Sequence, residues 1–63
     1  MTTWTVEGFA HQSPTAELRS PFSAAFETET EARAFWEATK ANTLCHVSDL
    51  IGPDGFTLAK WSR

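Results

Sequence analysis

The stretch from residue 22 to residue 42 changes its hydrophobic period halfway along, and this change limits the possible folds more than any other feature of the sequence. Phe22, Ala24 and Phe26 fall on every second position, which is the period of a half-buried strand. A second set of residues follows the i, i+3, i+4, i+7 spacing of one helix face: Ala32, Phe35, Trp36 and Thr39. The sequence therefore predicts a strand that runs directly into a helix.

The helix has recognisable signals at both ends. Thr28 lies where the period changes, and Glu31 follows three residues later. In such a capping box the threonine hydroxyl accepts a hydrogen bond from a free helix amide, and the glutamate reaches back to the threonine amide. Asn42 and Thr43 are predicted to end the helix, and asparagine tolerates the left-handed backbone that helix ends often adopt.

Three further strands are predicted outside this stretch. Residues 4–9 form the first, with Gly8 as the expected site of a bulge. Residues 44–51 and 56–61 form the third and fourth, on either side of a Gly-Pro-Asp-Gly turn at 52–55. Two runs that flank a turn this closely are typical of a β-hairpin.

The resulting order is ββαββ, in a chain of 63 residues that is expected to form a single domain, residues 1–63. If the third strand lies beside the first, every neighbouring pair is antiparallel and the sheet order is 2-1-3-4. The predicted fold class is α+β: a two-layer sandwich with a four-stranded antiparallel sheet and one helix on one face. A chain this short buries only about 60% of its unfolded surface, so its core is marginal.

The third and fourth strands carry apolar residues on both faces. Alternation gives this division: Cys45, Val47 and Ile51 on one face, Leu44 and Leu50 on the other. A three-residue loop at the turn predicts two cross-strand pairs: Leu50 with Leu58, and Val47 with Trp61. One helix covers only one face, so either the long polar loop at 11–21 folds over the second face or that face binds another protein.

Charge and composition exclude several classes of function. The net charge is −3 and the five Lys and Arg residues are scattered, whereas nucleic-acid-binding domains usually show a basic stripe. A lone cysteine fits a reducing cytoplasm. The N-terminus lacks the pattern of a signal peptide, and no apolar run reaches the roughly 20 residues that span a bilayer. We therefore expect a cytoplasmic protein that contacts neither nucleic acid nor membrane directly.

No arrangement of residues in the sequence predicts catalysis or a cofactor. Cys45 and His46 are adjacent, so on a strand they point to opposite faces and cannot act as nucleophile and base. A pairing of Cys45 with His11 depends on the fold. The two histidines, Cys45 and Asp49 match no known metal-site spacing. A non-enzymatic protein without cofactors is the expectation, with a small enzyme or enzyme subunit as an alternative.

Glu27, Glu29 and Glu31 form an acidic run across the junction between strand and helix. Two interpretations are open. The run is either a solvated surface that complements the helix dipole, or an acidic patch that docks on a basic surface, such as the nucleic-acid channel of another protein.

About two thirds of the chain resembles small phage and mobile-element proteins, including some anti-CRISPR proteins. Their shared pattern is a strand, a capped helix that begins with Glu-Ala, and a hairpin that ends in an aromatic residue. It is carried here by Phe26, Thr28, Thr30-Glu31-Ala32, Phe35, Leu44-Cys45-His46-Val47, Gly52 to Gly55 and Leu58-Ala59-Lys60-Trp61. The resemblance implies inhibition by gripping a nucleic-acid-binding channel. The loop at 11–21 departs from the pattern, and no binding residues are carried over.

The predicted function is a small protein-binding module that inhibits a larger host protein machine. The alternative is a self-associating domain that forms a homodimer through the uncovered sheet face. The residues predicted to contact a partner are Glu27, Glu29, Glu31, Leu44, Leu50 and Leu58.

Overall fold

A computed structural model of the chain describes residues 3–15 and 17–63. It consists of these elements in order: β1 (Trp4–His11), β2 (Arg19–Phe26), α1 (Glu29–Ala41), β3 (Cys45–Ile51) and β4 (Thr57–Ser62). The strands form one antiparallel sheet in the order β2-β1-β3-β4. This confirms the predicted α+β fold, in which the single helix packs on one face of a four-stranded sheet.

The core lies between α1 and the central strands. Its buried members come from the helix, from β1 and from β3: Val6, Ala32, Trp36 and Leu50. Partly buried side chains surround them: Trp4, Phe22, Phe26, Ala59 and Trp61. The predicted helix face is confirmed for its buried positions, whereas Phe35 lies at the rim and packs against Phe26 with ring centroids 5.3 Å apart.

The helix start forms half of the predicted capping box. The Thr28 Oγ1 atom accepts a hydrogen bond from the Glu31 amide at 3.2 Å. The Glu31 carboxylate accepts from the Thr28 hydroxyl at 3.0 Å instead of reaching the Thr28 amide. At the other end, Asn42 caps the helix as predicted, but its backbone is extended and not left-handed, with φ −81° and ψ 116°. Its side-chain oxygen accepts from the Leu44 amide at 3.0 Å and so turns the chain into β3.

The connection between β1 and β2 is shorter than the predicted loop at 11–21. His11 pairs with Arg19, and its amide also donates to the Leu44 carbonyl at 2.8 Å. Polar residues thus extend both strands because they have cross-strand partners. Pro21 is accommodated within β2 because this strand lies at the sheet edge, where proline is tolerated.

Two bulges change the register that alternation alone predicts. In the pairing of β1 with β3, Phe9 is opposite Val47 and Ala10 is opposite Cys45, so His46 is the extra residue. The bulge predicted at Gly8 is therefore misplaced. Gly8 is regularly paired, and its role is close approach, because a Cβ atom there would lie 1.8 Å from the Val47 oxygen.

The second bulge lies in β4 and overturns both predicted hairpin pairs. The turn closes as expected, with the Gly52 amide donating to the Phe56 carbonyl at 2.9 Å. Leu58 is then an extra residue, so the observed pairs are Ile51 with Thr57, Leu50 with Ala59, Ser48 with Trp61 and Val47 with Ser62.

These shifts also correct the predicted division of faces. Cys45 lines the helix side of the sheet together with Thr39, and Leu50 lies in the core on that same side. Val47 and Ile51 alternate with Leu50 and occupy the opposite face. The grouping of Cys45 with Val47 and Ile51 is wrong because the bulge at His46 interrupts the alternation.

Trp36 provides a test of this core. It is buried, and its indole N–H donates to the Ser48 carbonyl at 2.9 Å. Trp36→Ala should lower the free energy of unfolding by about 3–5 kcal/mol, enough to unfold a domain of this size. Trp36→Phe is the matched control, because it keeps an apolar ring, loses the hydrogen bond and should cost less. Thermal denaturation of both variants measures this, and an unchanged midpoint for Trp36→Ala would contradict the packing.

Candidate functional site

The sheet face opposite α1 is the candidate functional site, and we call it the open face. Its side chains lie in rows across the strands, because cross-strand partners share a face. Four rows result. The apolar row is Pro21, Phe9 and Val47; the basic row is Arg19, His11 and His46; the acidic row is Ser23, Glu7, Asp49 and Lys60; and an uncharged row beyond the acidic one is Ala25, Thr5, Ile51 and Thr57. The apolar row separates the basic row from the acidic row.

Phe9 is the centre of the apolar row. It lies on β1, a central strand, with Pro21 as its partner on β2 and Val47 as its partner on β3. Even so, 47% of its surface is exposed. A central strand normally buries an aromatic ring, which can remove about 150–250 Å² from water. The described residues therefore cover only about half of Phe9.

The acidic row contains a pair of like charges. Glu7 on β1 is directly opposite Asp49 on β3, an arrangement that destabilises an antiparallel sheet. Lys60 is opposite Asp49 on the other side, but the described part of the chain shows no ion pair between them within 4.0 Å. The two carboxylates therefore face solvent without a close cation.

The basic row brings together residues that are far apart in the sequence. Arg19 is the cross-strand partner of His11, and the bulge places His46 beside His11 with ring centroids 4.7 Å apart and planes at 73°. The Nδ1 atom of His11 is buried and has no hydrogen-bond partner among the described residues. Partial desolvation lowers the pKa of His46, and the positive charges of Arg19, His11 and Arg63 lower it further.

Arg63 belongs to the opposite side of the sheet. Its Nε atom donates to the Cys45 carbonyl at 3.2 Å and its Nη2 atom donates to the Asn42 carbonyl at 3.0 Å. Its guanidinium also lies 5.1 Å from the centre of the Trp61 ring. These contacts hold the end of β4 against the helix C-terminus. Arg63 is therefore not a member of the basic row on the open face.

Cys45 is enclosed on the helix side. Its side chain is 2% exposed and borders a shallow apolar cleft of about 200 Å³ with Phe22, Phe35 and Thr39. Burial raises the pKa of the thiol, so it stays protonated at neutral pH and is a poor nucleophile. Both histidines lie on the other face, so Cys45 has neither His11 nor His46 as a base.

The six residues predicted to contact a partner do not form one surface. Leu50 is wrong, because it is fully buried in the core. Leu44 is half-buried where β3 begins, near the helix C-terminus. Leu58 is 50% exposed and lies beside Gly52 and Trp4 at the other end of the sheet.

The acidic run has contacts of its own near the helix start. Glu29 accepts a hydrogen bond from the Arg33 Nε atom at 2.6 Å, and Glu31 accepts one from the Thr28 hydroxyl. Glu27 is exposed at the end of β2. These contacts favour the interpretation of a solvated surface that supports the helix.

Sequence reasoning missed the residues of the three rows. A signal was available in the alternation of Thr5, Glu7, Phe9 and His11 along β1, which places an aromatic between a carboxylate and an imidazole on one face. Ending the first strand at Phe9 concealed this pattern.

No protein-family model matches the sequence, and the comparisons with curated proteins and with solved structures found no match. No helix within residues 3–15 and 17–63 is long and apolar enough to cross a membrane. The same residues contain no group of three or more His, Cys, Asp and Glu side chains that could hold a metal ion.

The burial of Cys45 gives the first prediction for this region. In the folded protein its thiol should react with a disulfide reagent roughly a hundredfold more slowly than in urea, since reaction requires opening of the structure. The control is the double variant Cys45→Ser/Ser62→Cys, whose thiol sits at an exposed position and should react quickly in both states. Equal rates for folded wild type and this control would show that Cys45 is accessible.

The second prediction concerns His46 and pH. Its pKa is lowered on folding, so the unfolded chain binds the proton more tightly. Stability present above the ordinary value of about 6.5 should be lost as the pH falls below it. Urea denaturation at low protein concentration, between about pH 7.5 and pH 5.5, measures this. His46→Gln should show a smaller loss, and an equal loss in both proteins would contradict the assignment.

Proposed function

We propose that the chain is a non-enzymatic protein-binding module and that the open face is its binding surface. The observation that carries the proposal is the exposed Phe9 at the centre of the sheet. Protein interfaces typically place an apolar centre inside a polar rim. The apolar row, with charged rows on both sides, has this composition.

The open face is also rigid enough for specific binding. Its side chains project from paired strands, and β1 is held by neighbours on both sides. A surface that is already ordered loses little conformational entropy on association. The acidic run is a weaker candidate for a binding surface, because Glu29 and Glu31 already have hydrogen-bond partners within the chain.

The proposal does not include a reaction. Cys45 is enclosed away from both histidines, and the Asp49 carboxylate borders a shallow cleft of about 230 Å³ that it shares with Lys60 and Val47. Inhibition of a larger host machine, expected from the sequence, stays a prediction within this proposal. The open face is the surface that would bind such a machine.

Phe9→Ser tests the proposal because it removes the centre of the surface and leaves the core intact. The matched control is Phe56→Ser, which removes an even more exposed ring (73%) next to the hairpin turn. We expect Phe9→Ser to weaken partner binding about thirtyfold or more, as at an interface hot spot. Phe56→Ser should change it little.

Photocrosslinking from position 9 in a cell extract identifies the binding partner, and biolayer interferometry with that purified partner gives the affinities. Circular dichroism of both variants shows whether they remain folded. If the two variants bind with the affinity of wild type, the open face is not the binding surface.

A further inference from the structure

We propose that the open face binds a second copy of this chain, stacked face to face about a twofold axis that runs across the strands along the apolar row. This inference rests on the proposed function, since it names the partner of the same surface. The observation that supports it is the order of the rows along the strands of the open face: the basic row, then the apolar row, then the acidic row.

The symmetry of the arrangement follows from the strand register. A twofold axis along the apolar row reverses the strand direction and keeps each strand above its own copy. Phe9 then meets Phe9 of the second copy, and Val47 meets Val47. This is an isologous contact, in which one patch is complementary to itself.

The same operation places the basic row over the acidic row. On β1, His11 and Glu7 lie two residues to either side of Phe9, so each His11 faces Glu7 of the other copy. On β3, His46 and Asp49 lie on either side of Val47, so each His46 faces Asp49 of the other copy. Each dimer would therefore contain two sets of facing imidazole and carboxylate groups around an apolar centre.

Charge also decides between the possible axes. An axis parallel to the strands would stack the basic row on itself and the acidic row on itself, and like charges at an interface are costly. Only the axis across the strands brings opposite charges together. Face-to-face sheets usually keep their strand directions within about 30° of one another, which this arrangement satisfies.

One unfavourable feature of the single chain is relieved by this dimer. Glu7 and Asp49 oppose each other as like charges, and each would gain an imidazole from the second copy.

The size of the surface sets the expected strength. A standard interface buries about 800 Å² on each partner, which is about a fifth of the 4335 Å² accessible surface of this chain. Three rows across a small sheet supply less than that, with one aromatic ring at the centre. The dimer should therefore be of micromolar affinity.

The dimer should respond to pH through His46. The groups around His46 are His11 on β1, Arg19 on β2 and Arg63 after β4, all of which disfavour its protonation in the single chain. No carboxylate lies within 4.0 Å of either ring in the described part of one chain. In the dimer, Asp49 of the second copy lies over His46 and favours the protonated imidazole. Association should therefore be accompanied by proton uptake at His46, and it should tighten as the pH falls from about 8 to about 6.

Sedimentation equilibrium of the wild-type protein is the first test. Between about 5 µM and about 500 µM the weight-average mass should rise from 7.0 kDa towards twice that value, at lower concentration at pH 6 than at pH 8. A monomer at every concentration and both pH values would overturn the dimer. It would leave the proposed function intact, because the comparison of Phe9→Ser with Phe56→Ser tests that separately.

A pair of charge variants tests the axis itself. His11→Glu/His46→Glu makes both charged rows acidic, and Glu7→Lys/Asp49→Lys makes both basic. Each variant alone should self-associate at least tenfold more weakly than wild type, whereas an equal mixture should form a heterodimer. Variants that self-associate as well as wild type, or a mixture no tighter than its components, would overturn the proposal.

Circular dichroism shows whether each charge variant folds. If either charge variant does not fold, the dimer is tested instead by Phe9→Ser and by the pH series on the wild-type protein. Phe9→Ser should weaken self-association at least tenfold while Phe56→Ser does not. If Phe9→Ser self-associates as tightly as wild type, or if the wild-type dimer weakens between pH 8 and pH 6, this face and axis are ruled out.

Discussion

The contact between Trp36 and Ser48 is the interaction on which the rest of the structure depends. The indole N–H donates to the Ser48 carbonyl at 2.9 Å, and the Thr39 hydroxyl lies 2.7 Å from the Ser48 hydroxyl and 2.6 Å from the Trp36 carbonyl. These bonds fix the rotation and height of α1 over β3, a central strand. A buried polar group is costly unless it is paired, and a shift of the helix would break these bonds. The helix is therefore held in one position on the sheet.

This fixed helix position divides the sheet into a covered side and an open side, and the bulge at His46 links the two. The extra residue lets Cys45 lie under the helix while Val47 lies on the open face. It also places the His46 ring against His11. A regular strand would send His46 to the face opposite that of Cys45 and Val47, so core packing and the apolar row could not both form.

The fold could be predicted because its signals are local. The change of period at Thr28, the cap, and the Gly-Pro-Asp-Gly turn each act within a few residues. The bulges at His46 and Leu58 depend on contacts between distant strands, such as the approach of Gly8 to the Val47 oxygen, and no glycine or proline marks them. Since one residue of register moves a side chain to the other face, Leu50 was assigned to a surface although it is in the core.

The rows of the open face depend on the same long-range register, which explains why scattered basic residues could not be recognised as a row. Natural sequences tend to break local rules where function requires it. A sheet face meant only for water would carry polar residues throughout and would separate like charges. The open face instead exposes Phe9 on a central strand and sets Glu7 opposite Asp49. Both departures are unfavourable in the single chain and lie next to each other. A partner that covers Phe9 and brings positive charge to Glu7 and Asp49 removes both at once.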